Sequence, residues 1–300
     1  MTAEDAPSPV IGIIGGSGIY DIEGLEQAEW REMRTPWGLP SGELLFGRLA
    51  GVPCVFLPRH DRGHRLSPTD LPYRANIDAL KRAGCTEILS LSAVGSLRAD
   101  LPPGTFVIVD QFIDRTFARQ KSFFGAGCVA HVSMANPVCR RLGDVLEEGC
   151  RALGLPHKRG GTYLVIEGPQ FSTRAESELY RAWGCDVIGM TNMPEAKLAR
   201  EAELCYATIA MVTDYDCWHP EHDHVTVELV VKELFENAAK ARALLKQVVP
   251  VLGQRRGLCP EGCHTALENA IVTAPAKRDP SLLARLDVVA GRVLKAEAAG

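Results

Sequence analysis

The chain has 300 residues, 46% of them hydrophobic and 23% charged, with a formal net charge of −4. That length allows one or two domains with a sizeable core, and the balance excludes wholesale disorder, a coiled coil or a collagen-like fibre. The acidic balance also argues against a protein built around nucleic acid or anionic lipid.

Residues 1–9 are polar and carry two prolines. They lack the basic and apolar regions of a signal peptide, so they read as a short disordered lead on a cytoplasmic protein. No apolar run approaches the roughly 20 residues of a membrane span. Residues 10–14 and 52–57 are apolar, β-branched runs that read as strands. Residues 73–83 place Ala75, Ile77, Ala79, Leu80 and Ala83 on one helical face, and Gly84 suits the stop. Residues 86–92 and 105–112 read as strands, 137–153 as a helix ending at Gly154, and 163–166 as a strand. Residues 172–183 read as a helix capped by Ser172 or Thr173, with Glu176 in its first turn. A strand at 186–188, a helix at 194–203 and a strong strand at 206–212 follow. Residues 225–252 hold a long helix broken near its end by Pro250, and 280–294 read as an amphipathic closing helix. This alternation predicts one α/β domain, a sheet covered by helices, over 10–252, with 253–300 as a C-terminal extension.

Three strand ends carry donors. Gly15-Gly16-Ser17-Gly18 follows the first strand. It is neither a dinucleotide fingerprint nor a P-loop, yet its N–H groups and the Ser17 hydroxyl can converge on an anion; a tight turn is the plain alternative. Arg59 and His60 end the second strand, where a guanidinium offers phosphate a planar fork; a solvated basic loop is the alternative. Ser92 to Ser96 adds hydroxyls and a glycine. Ligands of open α/β sheets sit at the carboxyl ends of strands, so the three together point to phosphate or a phosphate ester.

Asp214 and Asp216 end the most apolar strand and, two residues apart, point to one side. Like charges so close raise the pKa of one carboxyl, leaving it able to donate a proton near neutral pH. A Mg²⁺ site is the other use of such a pair, but no third carboxylate is obvious and the donor loops already serve an anion. His219, His222 and His224 sit in a polar loop that reads as a solvated lid rather than a metal site. Ten cysteines is many. Cys54, Cys85 and Cys205 lie in apolar runs and read as small hydrophobes. Cys259 and Cys263 read as ordinary thiols or a local disulfide, because no two further metal ligands lie near them in sequence.

The segments GIIGGSGIY, PRHDRGH, SAVGSL, DQFIDRT, IEGPQFSTRAE, VIGMTNMPE and MVTDYDCW occur in this order. Over residues 10–251 the chain resembles the purine nucleoside phosphorylase and methylthioadenosine phosphorylase family. The resemblance implies a single domain with a central twisted mixed β-sheet flanked by helices, of the phosphorylase/hydrolase-like kind. It implies phosphorolysis of S-methyl-5′-thioadenosine to adenine and 5-methylthioribose 1-phosphate, in methionine and purine salvage, with 5′-deoxyadenosine as a possible second substrate. No organic cofactor or metal is implied, inorganic phosphate being a co-substrate, and the expected assembly is a homotrimer or a homohexamer. By position, the resemblance implies phosphate contacts from Ser17, Arg59, His60, Ser92, Ala93 and Thr191. Met190 would lie against the ribose and Phe171 and Ser172 beside the base. Asp214, Tyr215 and Asp216 would meet adenine, with the two carboxyls catalytic. His131, Val227, Val230 and Val231 would line the methylthio pocket. Gly189 stands where animal members carry Asn. The alternative within the family is a phosphorylase for 6-oxo purine nucleosides or methylthioinosine; there Asn typically replaces the residue at Asp214, because an amide can donate to a 6-oxo group.

Overall fold

Ile11, Gly12, Ile13 and Ile14 form a strand buried on both faces, the pattern expected inside a parallel sheet. In the computed structural model this strand is central to an 11-stranded mixed sheet. The structure describes residues 9–16, 18–219, 227–255 and 257–299, with backbone alone for 227–232 and 297–299. In chain order the strands are β1 (Ile11–Gly15), β2 (Leu25–Arg31), β3 (Leu44–Leu49), β4 (Val52–Pro58), β5 (Glu87–Ser96), β6 (Phe106–Ile108), β7 (Gln111–Asp114), β8 (His157–Arg159), β9 (Thr162–Val165), β10 (Val187–Gly189) and β11 (Cys205–Tyr215). The helices are α1 (Tyr73–Arg82), α2 (Arg140–Ala152), α3 (Arg174–Ala182), α4 (Asn192–Glu201), α5 (Val227–Gly253), α6 (Pro280–Arg285) and α7 (Gly291–Ala299).

The sheet order is β2-β3-β4-β1-β5-β10-β9-β7, and a second arm runs from β5 through β11 and β6 to β8. β1 is parallel to β4 and β5, and β5 is parallel to β11. The carboxyl ends of these four strands therefore open on one edge. Alternating side chains feed two cores. Val55 and Leu57 of β4 face one, with α1, α4, Leu267, Leu286 and Val289. Cys54 and Phe56 face the other, with α2, α5, Cys259 and Cys263. Residues beyond 253 thus join both cores.

Local signals explain most boundaries. Thr173 caps α3 by accepting from the Glu176 amide, and Glu176 returns the bond to the Thr173 amide. Ala83 caps α1, and Gly84 follows at a φ of 86°. Three expectations change. The run 105–112 is two short strands, β6 and β7. The strand expected over 86–92 continues to Ser96, so Ser92 and Ala93 are strand residues, not loop residues. The closing helix is α6 and α7, parted by a turn in which Leu286 and Val289 are buried.

Candidate active site

β11 runs on to Tyr215, and its pairing with β5 shifts between Val212 and Asp214. That bulge brings Asp214 opposite Gly95. A Cβ on Gly95 would lie 3.2 Å from Asp214 Oδ2 and 3.5 Å from Asp216 Cβ. Glycine there lets both acids close on the backbone of β5, and the pair shares one side as the spacing predicts.

Burial pushes Asp214 up to about 6; the Thr213 hydroxyl opposes this and the Asp216 charge adds to it. Thr213 Oγ1 donates to Asp214 Oδ1 at 2.7 Å, so a proton on Asp214 belongs on Oδ2, beside Gly95. Burial raises Asp216 as well. Its Oδ2 is buried with no hydrogen-bond partner among the described residues, as is the Ser172 hydroxyl. Buried polar atoms without partners cost stability, so this group suits a polar ligand.

The phosphate candidates gather three residues earlier on β5. The Ser92 hydroxyl lies 2.9 Å from the Tyr163 hydroxyl and 3.4 Å from Thr191 Oγ1. Ala93 follows on the strand. At about 3.3 Å per residue, Ser92 and Gly95, the residue under the acid pair, stand roughly 10 Å apart along the strand. Ser17 lies outside the described residues.

Two phosphate candidates differ from the reading of the sequence. The Arg59 fork does not point into open space. Its Nε and Nη2 grip Glu195 at 3.0 and 3.2 Å, Nη2 also donates to Ser90 Oγ at 2.6 Å, and Nη1 donates to Leu91 O at 2.8 Å. A guanidinium has five N–H donors, so one on Nη1 is left for an anion. His60 is no cation. Burial pulls it down to about 4, against the opposing bond of Nδ1 to Leu66 O at 2.9 Å. It is neutral at pH 7, and Nδ1 carries the proton because its partner is a carbonyl. The site would hold an anion with neutral hydroxyls and N–H groups, the nearest guanidinium being already paired.

The base and ribose candidates divide. Ser172 O accepts from Cys217 Sγ at 3.3 Å, tying the 168–173 loop to the residue after Asp216. Phe171, in that loop, is 51% exposed. Tyr215 turns away from the acid pair, as strand alternation requires. Its hydroxyl donates to Ala99 O at 3.4 Å and its ring stacks on His219. Met190 is held by its carbonyl, which accepts from Arg119 Nη1 at 2.6 Å. His131 is exposed, and its amide donates to Ala270 O at 2.9 Å. The side chains of Val227, Val230 and Val231, and His222 and His224, lie outside the described residues.

Arg119 and Glu167 were not singled out by sequence. Arg119 is buried and also holds Met193 O and Glu167 O, at 2.7 and 2.6 Å. Burial would raise Glu167, but bonds from Thr69, the Phe117 and Ala118 amides and Arg119 outweigh it and hold it at about 2. The pair fixes both chain segments flanking Met190. Two cysteines also depart from expectation: Cys259 and Cys263 do have further sulfur neighbours, Cys139 and Cys205, brought in by the fold.

A glycine decides one more contact. A Cβ on Gly189 would lie 2.0 Å from the Tyr163 hydroxyl, which bonds Ser92. Gly189→Ala is therefore expected to displace Tyr163, and the apparent phosphate constant should rise more than the nucleoside constant. Equal changes would show that Tyr163 does not position Ser92.

Residues 10–250 match the phosphorylase superfamily. The chain belongs to that family. It is 64% identical over 286 residues to the S-methyl-5′-thioadenosine phosphorylase of Cereibacter sphaeroides, covering 95% of this chain and 99% of the relative. It is 65% identical to the enzyme of that name from Rhodospirillum rubrum, over 95% and 97% of the two chains. Among solved structures, a methylthioadenosine phosphorylase from an antarctic soil metagenomic library superposes with a TM-score of 0.87 at 46% identity, over 94% of this chain and 99% of that one. The Schistosoma mansoni methylthioadenosine phosphorylase in complex with adenine gives 0.82 at 37% identity, over 88% and 99%. A phosphorylase transfers a glycosyl group to phosphate, and the ends of β5 and β11 supply hydroxyls at one place and paired acids at another.

Proposed function

We propose that the chain is a pentosyltransferase that cleaves S-methyl-5′-thioadenosine with inorganic phosphate, giving adenine and S-methyl-5-thio-α-D-ribose 1-phosphate for methionine and purine salvage. The observation that carries the reading is the half-buried Asp214 and buried Asp216 over Gly95, three residues along β5 from the Ser92 and Thr191 hydroxyls. Adenine leaves best when protonated at N7, and a neutral carboxyl at Asp214 Oδ2 supplies that proton. Once it has given up that proton, the Asp214 carboxylate accepts from the 6-amino group, with Asp216 beside it. Phosphate held at Ser92 and Thr191 then adds to the oxocarbenium-like sugar as the C–N bond breaks, and the bonding electrons leave with adenine.

The reaction as proposed draws on no organic cofactor or metal, only phosphate as co-substrate. We place the enzyme in the cytoplasm as a homotrimer. No described helix is long and apolar enough to cross a membrane. His131 is exposed beside the Ala130–Ile271 bridge, a place open to a neighbouring copy; light scattering checks the assembly. A substrate panel with and without phosphate tests the activity. Methylthioadenosine and 5′-deoxyadenosine are expected to release adenine only with phosphate, and inosine and methylthioinosine to react at least tenfold more slowly. Base release without phosphate would identify a hydrolase instead.

A further inference from the structure

The fold gathers four cysteines far from the acid pair. Cys139, Cys205, Cys259 and Cys263 are all buried free thiols, with their sulfurs within 4.8 Å of one another. Cys139 Sγ and Cys259 Sγ are 3.7 Å apart. Cys139 caps the N-terminus of α2, and its amide donates to Tyr206 O. Cys205 opens β11, bonded to Thr86 O. Cys259 and Cys263 flank a turn closed by the Gly262 amide on Cys259 O at 3.1 Å, with Gly262 at a φ of 68°.

Packing alone does not ask for four sulfurs at one point. Cys54, Cys85, Cys128, Cys150 and Cys185 are buried too and lie outside the cluster. Two disulfides would need two pairs, each about 2.0 Å apart, with no demand that the pairs meet. A tetrahedral zinc with Zn–S of about 2.3 Å places its sulfurs about 3.8 Å from each other. The cluster meets that spacing with a contraction of about 1 Å at most. Structural zinc sites take four protein ligands in this way, with no open position.

The surroundings suit the charge. Four thiolates on one Zn²⁺ leave a double negative charge. Arg141, two residues after Cys139 in the first turn of α2, bonds Cys259 and donates to Glu87 Oε1 at 2.5 Å, so its guanidinium sits against the sulfurs. Arg255 shares Glu87 at 2.8 Å. A donor onto a metal-bound thiolate is the outer support such sites use.

We propose that Cys139, Cys205, Cys259 and Cys263 form a tetrathiolate site for one structural Zn²⁺, which pins the C-terminal segment to the starts of α2 and β11. Loading releases the thiol protons to solvent. Asp214 lies nine residue steps along β11 from Cys205, roughly 30 Å at about 3.3 Å each, so the ion takes no part in phosphorolysis.

Metal analysis of the full chain, purified under reducing conditions from zinc-supplemented medium, tests this. One zinc per chain is expected, and Co²⁺ exchange should give the thiolate charge-transfer bands of tetrahedral cobalt. Cys263→Ser should bring zinc to near zero, while Cys150→Ala, a buried cysteine of α2 outside the cluster, should keep it. Stripping zinc should remove amide-exchange protection over residues 257–294. Wild-type protein with four alkylatable thiols and no zinc, a mass showing two disulfides, or full zinc in Cys263→Ser would each overturn the site. None of these results depends on which nucleoside the enzyme cleaves.

Discussion

Asp214→Asn should lower kcat/KM for methylthioadenosine by roughly 10²–10⁴-fold, the usual worth of a positioned general acid. The Asn amide cannot give a proton to N7, and its NH₂ meets the 6-amino group as donor against donor. Inosine and methylthioinosine should lose less, or gain, because a 6-oxo group accepts from the new amide. The deciding quantity is the ratio of kcat/KM for the two bases, since damage common to both cancels. An unchanged ratio would mean that Asp214 does not read the base. The fold should survive, since the substitution removes a charge from a group that burial already holds toward neutrality.

The same residue sets a pH dependence. A raised carboxyl pKa favours the protonated form in the folded enzyme, so the active acid is present below about 6 and lost as pH rises through that value. With phosphate dianion held constant, kcat/KM should show a falling limb near pH 6. Asp214→Asn should lack that limb. For stability the sign is the same: folding binds a proton more tightly here than the unfolded chain does, so this group favours the folded state less as pH climbs from the ordinary carboxyl range to about 6.

The acid pair was legible because strand periodicity needs only local sequence, and β11 is apolar enough to announce itself. The α3 cap was legible for the same reason: Thr173 and Glu176 are three residues apart. β2 escaped because LEQAEWR is a polar, largely exposed run with no apolar alternation. The direction of a side chain at a strand end was not legible. Arg59 meets Glu195 136 residues later, and Arg119 meets Glu167 48 residues later. Nothing local distinguishes an arginine turned inward to a carboxylate from one offered to phosphate. The four cysteines show the same limit, since three separate stretches of chain supply them and only the sheet order brings them together.

That inward turn changes what loss of Arg59 does. As a free phosphate fork, Arg59→Ala would raise the phosphate constant and leave stability alone. As observed, both side chains of the Arg59–Glu195 pair are 3% exposed, and Ser90 and Leu91 complete the shell. Burial by itself would depress the guanidinium pKa, and the Glu195 carboxylate more than restores it. Truncating one partner strands Glu195 among Ser90, Asn192 and Tyr206 without a counter-charge. Breaking a buried pair this way costs about 3–5 kcal/mol. A domain of this size should then melt roughly 6–20 °C lower. Arg59→Met with Glu195→Met should recover much of that loss, because the uncompensated charge goes with its partner. Phosphate affinity separates the two roles: if the remaining Nη1 donor reaches phosphate, the double variant regains stability but keeps a raised phosphate constant. A melting point unmoved by Arg59→Ala would show that the guanidinium is not committed to Glu195 and would return it to the phosphate site.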